Sequence, residues 1–132
     1  MSQPPDAEGP PPGLPLAILL LDDEEGILES LDLTLRDDYR VFTARTGAEG
    51  LEILEREEIA LVISDQVMPG MSGVEFLERV KERRPDAIRM MLTGYADLGS
   101  LTRAINRGQI YRYVPKPWEP DELRLNVKRA LE

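Results

Sequence analysis

Five short apolar runs, separated by longer amphipathic stretches, constrain this chain more than any other feature. They occupy residues 17–21, 39–43, 60–64, 88–92 and 111–114. Each is too short for a helix of its own and reads as a strand covered on both sides. Between and after the runs, apolar residues return at helical spacing: Ile27, Leu28, Leu31 and Leu35; Ala48, Leu51 and Leu54; Val74, Leu77 and Val80; Leu98, Leu101 and Ile105; Leu123, Val127 and Leu131. Five helices are therefore expected. Thr46 and Ser72 stand where N-caps belong, Gly108 follows the fourth helix, and Pro120 lies in the first turn of the last.

Strand and helix alternating in this way imply a parallel sheet with helices on both faces, and right-handed crossovers leave few ways to wind it. One common solution, taken here as the expected fold, is α/β and flavodoxin-like, with strand order 2-1-3-4-5 and a crevice at the carboxyl ends of the first and third strands. A chain of 132 residues has room for one such domain with a real core. Residues 1–15, MSQPPDAEGPPPGLP, contain six prolines and two glycines and almost nothing that fills a core. They are expected to form a disordered leader, with the folded domain over 16–132.

Composition narrows the chemistry. The absence of cysteine and histidine removes disulfides, thiol nucleophiles, zinc sites built on those residues and every catalytic triad that uses them. Carboxylates, hydroxyls and lysines remain. A net charge of −9 opposes phosphate attraction, so direct nucleic-acid binding by this chain is not expected. No apolar run is long enough to span a bilayer and no basic stretch precedes one, so a cytoplasmic location is expected and a membrane partner is not.

The polar residues of interest stand where the apolar runs stop. Asp22 and Asp23 follow the first strand, Asp65 the third, Thr93 the fourth, and Lys116 lies just past the fifth. In the expected order the first and third strands are neighbours about 4.8 Å apart, which brings the carboxylates into one crevice. Like charges so close favour a hard divalent cation such as Mg2+, held by carboxylates and waters. With that charge screened, Asp65 is the candidate nucleophile toward phosphorus. Thr93 as a hydrogen-bond donor and Lys116 as a point charge are placed to hold phosphoryl oxygens.

The segments LLLDDEEGIL, VISDQVMPGMSG, MLTGYAD and YVPKPW, each at the end of an expected strand, resemble the signature blocks of the response-regulator receiver domain. The resemblance spans residues 16–131. It implies that Asp65 is the phosphoacceptor and that Asp23, Asp65 and the backbone carbonyl of Val67 bind Mg2+ directly, with Asp22 acting through a water. It also implies that Lys116 bridges to the acceptor, that Thr93 swings toward the phosphoryl group, and that Tyr113 is an aromatic switch. The bond from Lys116 to Pro117 is expected to be cis. The implied donor is a sensor histidine kinase, necessarily in trans because this chain has no histidine. The output would be a changed surface on the fourth helix, fifth strand and last helix, where a homodimer is also implied. Gly94 is usual after the threonine, whereas Val67 and Tyr95 are bulky at positions that tune phosphoryl loss, so slow self-hydrolysis is expected. The run NRGQIYRYVPKPW is similar to receivers that precede HD-GYP phosphodiesterase or transcription-activating domains.

Each residue also has an ordinary reading. Asp22 through Glu25 suit a helix start, where the macrodipole favours acids; Asp65 suits a solvated loop, Thr93 with Gly94 a cap, and Lys116 a surface. Tyr113 and Trp118 read equally as packing, and Arg103, Arg107 and Arg112 as a solvated face. Two other functions compete: a hydrolase with an aspartyl-phosphate intermediate, and a constitutive binding module. The first is disfavoured because Val67 stands where the common phosphatase motif has an acid, and the second by the intact acid cluster with its lysine. Neither a Walker A run nor GxGxxG occurs, so nucleotide binding is not indicated.

Overall fold

A computed structural model of the chain describes residues 15–94 and 110–132. Its elements are β1 (Ala17–Leu21), α1 (Glu25–Leu35), β2 (Arg40–Ala44), α2 (Gly47–Arg56), β3 (Ile59–Asp65), α3 (Gly73–Arg83), β4 (Ile88–Thr93), β5 (Arg112–Pro115) and α4 (Pro120–Leu131). The five strands form one parallel sheet in the order β2-β1-β3-β4-β5, the expected flavodoxin-like order. The leader falls outside the described residues except for Pro15, whose carbonyl accepts from Arg40 Nε at 3.1 Å. The expected fourth helix, with Leu98, Leu101, Ile105 and Gly108, lies outside them as well, as do Tyr95, Arg103 and Arg107.

β1 shows why the strands read as unbroken apolar runs. Ile18 and Leu20 point into a core with Leu28, Leu31 and Leu35 of α1 and Leu123 and Val127 of α4. Leu19 and Leu21 point the other way, against Leu54 of α2 and Phe76, Leu77 and Val80 of α3. All five β1 residues are at most 1% exposed, so alternate side chains feed two separate cores. Each such burial contributes about 1.5–3 kcal/mol.

The helices begin where the capping residues say. Thr46 and Ser72 accept the backbone N–H of Glu49 and of Glu75, each at 3.1 Å, and Pro120 opens α4 behind the Glu119 carboxylate, which accepts from Glu122 N. The strands differ from expectation at their ends. β2 begins at Arg40 because the Tyr39 N–H is turned back to the Leu35 carbonyl, and it runs on to Ala44. β5 is likewise displaced by one residue, to Arg112–Pro115. β3 and β4 extend one residue past their apolar runs, through Asp65 and Thr93, because backbone pairing continues there, Asp65 opposite Leu92 and Thr93 opposite Pro115. Two of the candidate site residues are thus the last residues of strands rather than the first of loops.

Leu20→Ala is expected to lower the unfolding free energy by about 2–5 kcal/mol, and Thr46→Ala by about 1 kcal/mol. Urea denaturation followed by far-UV circular dichroism measures both.

Candidate functional site

The register of the sheet assembles the site. Leu21 of β1 pairs with Ser64 of β3, so the residues that follow, Asp22 just past β1 and Asp65 at the end of β3, stand side by side. On the other side of β3, Thr93 closes β4, and the Lys116 N–H donates to the Thr93 carbonyl at 2.8 Å, which fixes the lysine at the same edge. The peptide bond between Lys116 and Pro117 is cis, as expected.

Asp22, Asp23 and Asp65 each offer a carboxylate oxygen to a cluster in which all three lie within 4.8 Å of one another. Asp22 is fully buried and Asp65 nearly so, with Asp23 half-buried. Repulsion between unit charges at such a distance is about 3 kcal/mol at an effective dielectric constant near 20. The Lys116 ammonium answers part of it, lying 2.9 Å from Asp65 Oδ1 and 3.3 Å from Asp22 Oδ2. Three carboxylates against one ammonium leave two negative charges, and the donors are hard oxygens, so the set fits a divalent cation. The acids are therefore not a simple solvated helix start, and Asp65 is not a solvated loop residue.

Electrostatics follows burial. Burial pushes the Asp22 carboxyl above its ordinary value; the Glu24 N–H, 2.9 Å from Oδ1, pulls the other way, the Asp65 charge adds to the rise, and Lys116 lowers it. For Lys116, burial alone would lower the ammonium, but its bond to Asp65 and the charges of Asp65 and Asp22 outweigh that and raise it.

The loop after Asp65 is held by its backbone. Gly73 N–H donates to the Gln66 carbonyl at 3.0 Å, Gly70 takes a left-handed φ of 85°, and Met68 is buried in the core on the α2 and α3 side. A Cβ at Gly73 would overlap the Asp65 carbonyl oxygen, so only glycine admits this approach of α3 to the end of β3. Val67 is 77% exposed, and Tyr113 is exposed on β5. Trp118 packs against the core on the α1 and α4 side.

Thr93 is 3% exposed, and its hydroxyl oxygen lies 2.9 Å from both Gln66 Oε1 and the Gly94 carbonyl. Gln66 was not singled out in the sequence, where an amide next to an acid carries no signal of its own. Arg45 was missed too; its Nη2 donates to the Asp23 carbonyl at 3.1 Å and ties the acidic turn to the end of β2. Its place directly after the second strand is the one hint the sequence offers.

The chain matches the response regulator receiver domain family over residues 18–128. The chain belongs to that family. It is 38% identical to the hydrogenase transcriptional regulatory protein HoxA of Cupriavidus necator over 87% of its own length, and this match covers 24% of HoxA. It is 32% identical to sporulation initiation phosphotransferase F of Bacillus subtilis, over 86% of this chain and 92% of that protein. Among solved structures, the signal receiver domain of an HD domain-containing protein from Pseudomonas fluorescens Pf-5 superposes with a TM-score of 0.84 at 37% identity, covering 95% of this chain and 93% of that one. The chain therefore spans about a quarter of the length of HoxA but nearly all of the single-receiver relative. It is a receiver domain of two-component signalling, and receivers take phosphoryl groups from sensor histidine kinases. No helix among the described residues is long and apolar enough to cross a membrane.

Because the folded state raises the Asp22 carboxyl, ionised Asp22 opposes folding at neutral pH. That opposition fades as pH falls through the raised value toward the ordinary one. Asp22→Asn, which keeps an oxygen for the Glu24 N–H, is expected to raise the Tm of the metal-free protein at pH 7, with a smaller gain in acid. Thermal melts of both proteins across pH check the sign.

Proposed function

We propose that Asp65 is the phosphoacceptor of this receiver, loaded in trans by a sensor histidine kinase. The observation that carries the reading is the Lys116 ammonium 2.9 Å from Asp65 Oδ1, inside a cluster of three carboxylates. A carboxylate oxygen of Asp65 attacks phosphorus in line as the P–N bond of the donor phosphohistidine breaks. The departing imidazole nitrogen keeps the electron pair, and the phosphoryl group ends on Asp65 as an acyl phosphate. Lys116 stays paired with the acceptor and balances charge on the incoming oxygens.

The donor set supports Mg2+ as the ion, with Asp23, Asp65 and the Val67 backbone carbonyl as direct ligands and Asp22 acting through a water. Bound there, the ion neutralises phosphoryl oxygens. Thr93 then donates its hydroxyl to a phosphoryl oxygen, and the exposed Tyr113 turns inward. The domain over 16–132 acts as a phosphoacceptor and binding switch rather than a turnover enzyme, in the cytoplasm. Its output passes through the surface of β5 and α4 together with the segment before β5. HoxA is named as a transcriptional regulator and the Pseudomonas relative as an HD domain-containing protein, which supports an output of one of those kinds.

Incubation with Mg2+ and acetyl phosphate is expected to add one phosphoryl group to the wild type, seen by intact mass, and none to Asp65→Asn. Once the donor is removed the added mass should decay slowly, given bulky Val67 beside the acceptor. No Mg2+-dependent gain under conditions that label a control receiver would overturn the reading. Steady phosphate release from a small phosphomonoester would favour a hydrolase instead.

The same surface is assigned to phosphorylation-dependent dimerisation. Solution mass is expected to double when beryllofluoride and Mg2+ are added, and an unchanged monomer would remove the assignment.

A further inference from the structure

We infer that Gln66 is a positioning residue that holds Thr93 in its unphosphorylated arrangement and sets how readily the switch is thrown. The inference rests on the proposed role of Thr93 at the phosphoryl group. The hydroxyl of a threonine that is 3% exposed needs a partner, and Thr93 has one in the Gln66 side chain, 2.9 Å away across the carboxyl edge of β3 and β4. The hydroxyl carries a single proton, shared between Gln66 Oε1 and the Gly94 carbonyl, also at 2.9 Å. With the amide turned over, its NH2 would donate to the hydroxyl and the proton would go to Gly94. Either way the Gln66 amide and the Thr93 hydroxyl are bonded.

Gln66 is well placed for this task. It directly follows the acceptor, its carbonyl takes the Gly73 N–H at 3.0 Å, and that bond anchors its backbone between the end of β3 and the start of α3. Its side chain, half-buried, reaches Thr93 on the neighbouring strand. A β-branched threonine has few χ1 wells, so one strong side-chain partner selects among them. To carry its hydroxyl to a phosphoryl oxygen on Asp65, Thr93 must leave the χ1 well in which it meets Gln66, and the bond given up is weighed against the bond gained. Gln66 thereby biases the protein toward the resting state without touching the phosphoryl group.

The test is a mutant cycle read by the affinity for beryllofluoride in the presence of Mg2+. Gln66→Met keeps the length of the side chain and removes the amide. It is expected to tighten binding about two- to tenfold, the worth of one net hydrogen bond. In a Thr93→Ser background, which keeps the hydroxyl, the same gain should appear, and in a Thr93→Val background it should vanish. A second measurement needs no ligand: the Thr93 χ1 couplings in the metal-free protein should report one rotamer in the wild type and averaging in Gln66→Met. Unchanged or weaker binding in Gln66→Met, an equal gain with Thr93→Val, or one unaltered Thr93 rotamer would each overturn the inference. Failure of the wild type itself to bind beryllofluoride would instead overturn the proposed function, and this inference with it.

Discussion

The carboxyl edge of the sheet depends on one ammonium. Asp22 and Asp65 emerge side by side because β1 and β3 are paired, and Asp23 comes with them, so the fold itself concentrates negative charge there. Lys116 lies within bonding distance of both Asp22 and Asp65, and it stands just past β5, whose strand is two places away from β3 in the sheet. Its reach is fixed by the bond from its N–H to the Thr93 carbonyl. Breaking a buried pair of this kind leaves a charge uncompensated, which costs more than the pair contributes when intact.

The same architecture explains why the site lies at the strand ends. Alternate β1 side chains fill two cores, so every side-chain position along the strand is taken by burial. On β1 polar groups enter only where the strand stops, and in a parallel sheet one whole set of strand ends faces the same way. Pairing that carries β3 and β4 one residue further, through Asp65 and Thr93, gives these two side chains strand-like rigidity instead of loop freedom.

That logic is why so much was legible beforehand. The apolar runs and the helical spacing imply a parallel sheet covered on both faces, and with the common flavodoxin-like order chosen among its few windings, the meeting of Asp22, Asp23, Asp65 and Lys116 follows. The caps at Thr46 and Ser72 are local chemistry and were equally readable. What escaped depends on the path of loops. Gln66 reaches Thr93 across 27 residues of sequence, and Arg45 reaches the Asp23 carbonyl across 22, and neither separation leaves a periodic mark. Gly73 carries no signal of its own beside the Ser72 cap; only the approach of α3 to the Asp65 carbonyl reveals why no side chain fits there. The one-residue slips at the strand ends arise because backbone pairing, not side-chain polarity, terminates a strand.

Charge arithmetic ties the resting site to the switch. Three carboxylates and one ammonium hold about −2 in the cluster. Converting the Asp65 carboxylate to an acyl phosphate replaces about −1 with about −2 and adds three strong acceptor oxygens. The cluster would then stand near −3 without a cation, and near −1 with a divalent one. A site so charged tolerates the product only with the ion present, and the new oxygens then compete for every nearby donor. The Thr93 hydroxyl is the donor whose present partner, the neutral Gln66 amide, is weakest against a charged oxygen, since a bond to a charged acceptor is roughly twice as strong as a neutral one. Lys116 need not move because it already bonds the acceptor. Under the proposed function, the conformational consequence of phosphorylation is concentrated at the end of β4, next to the β5 strand that carries Tyr113 to the surface.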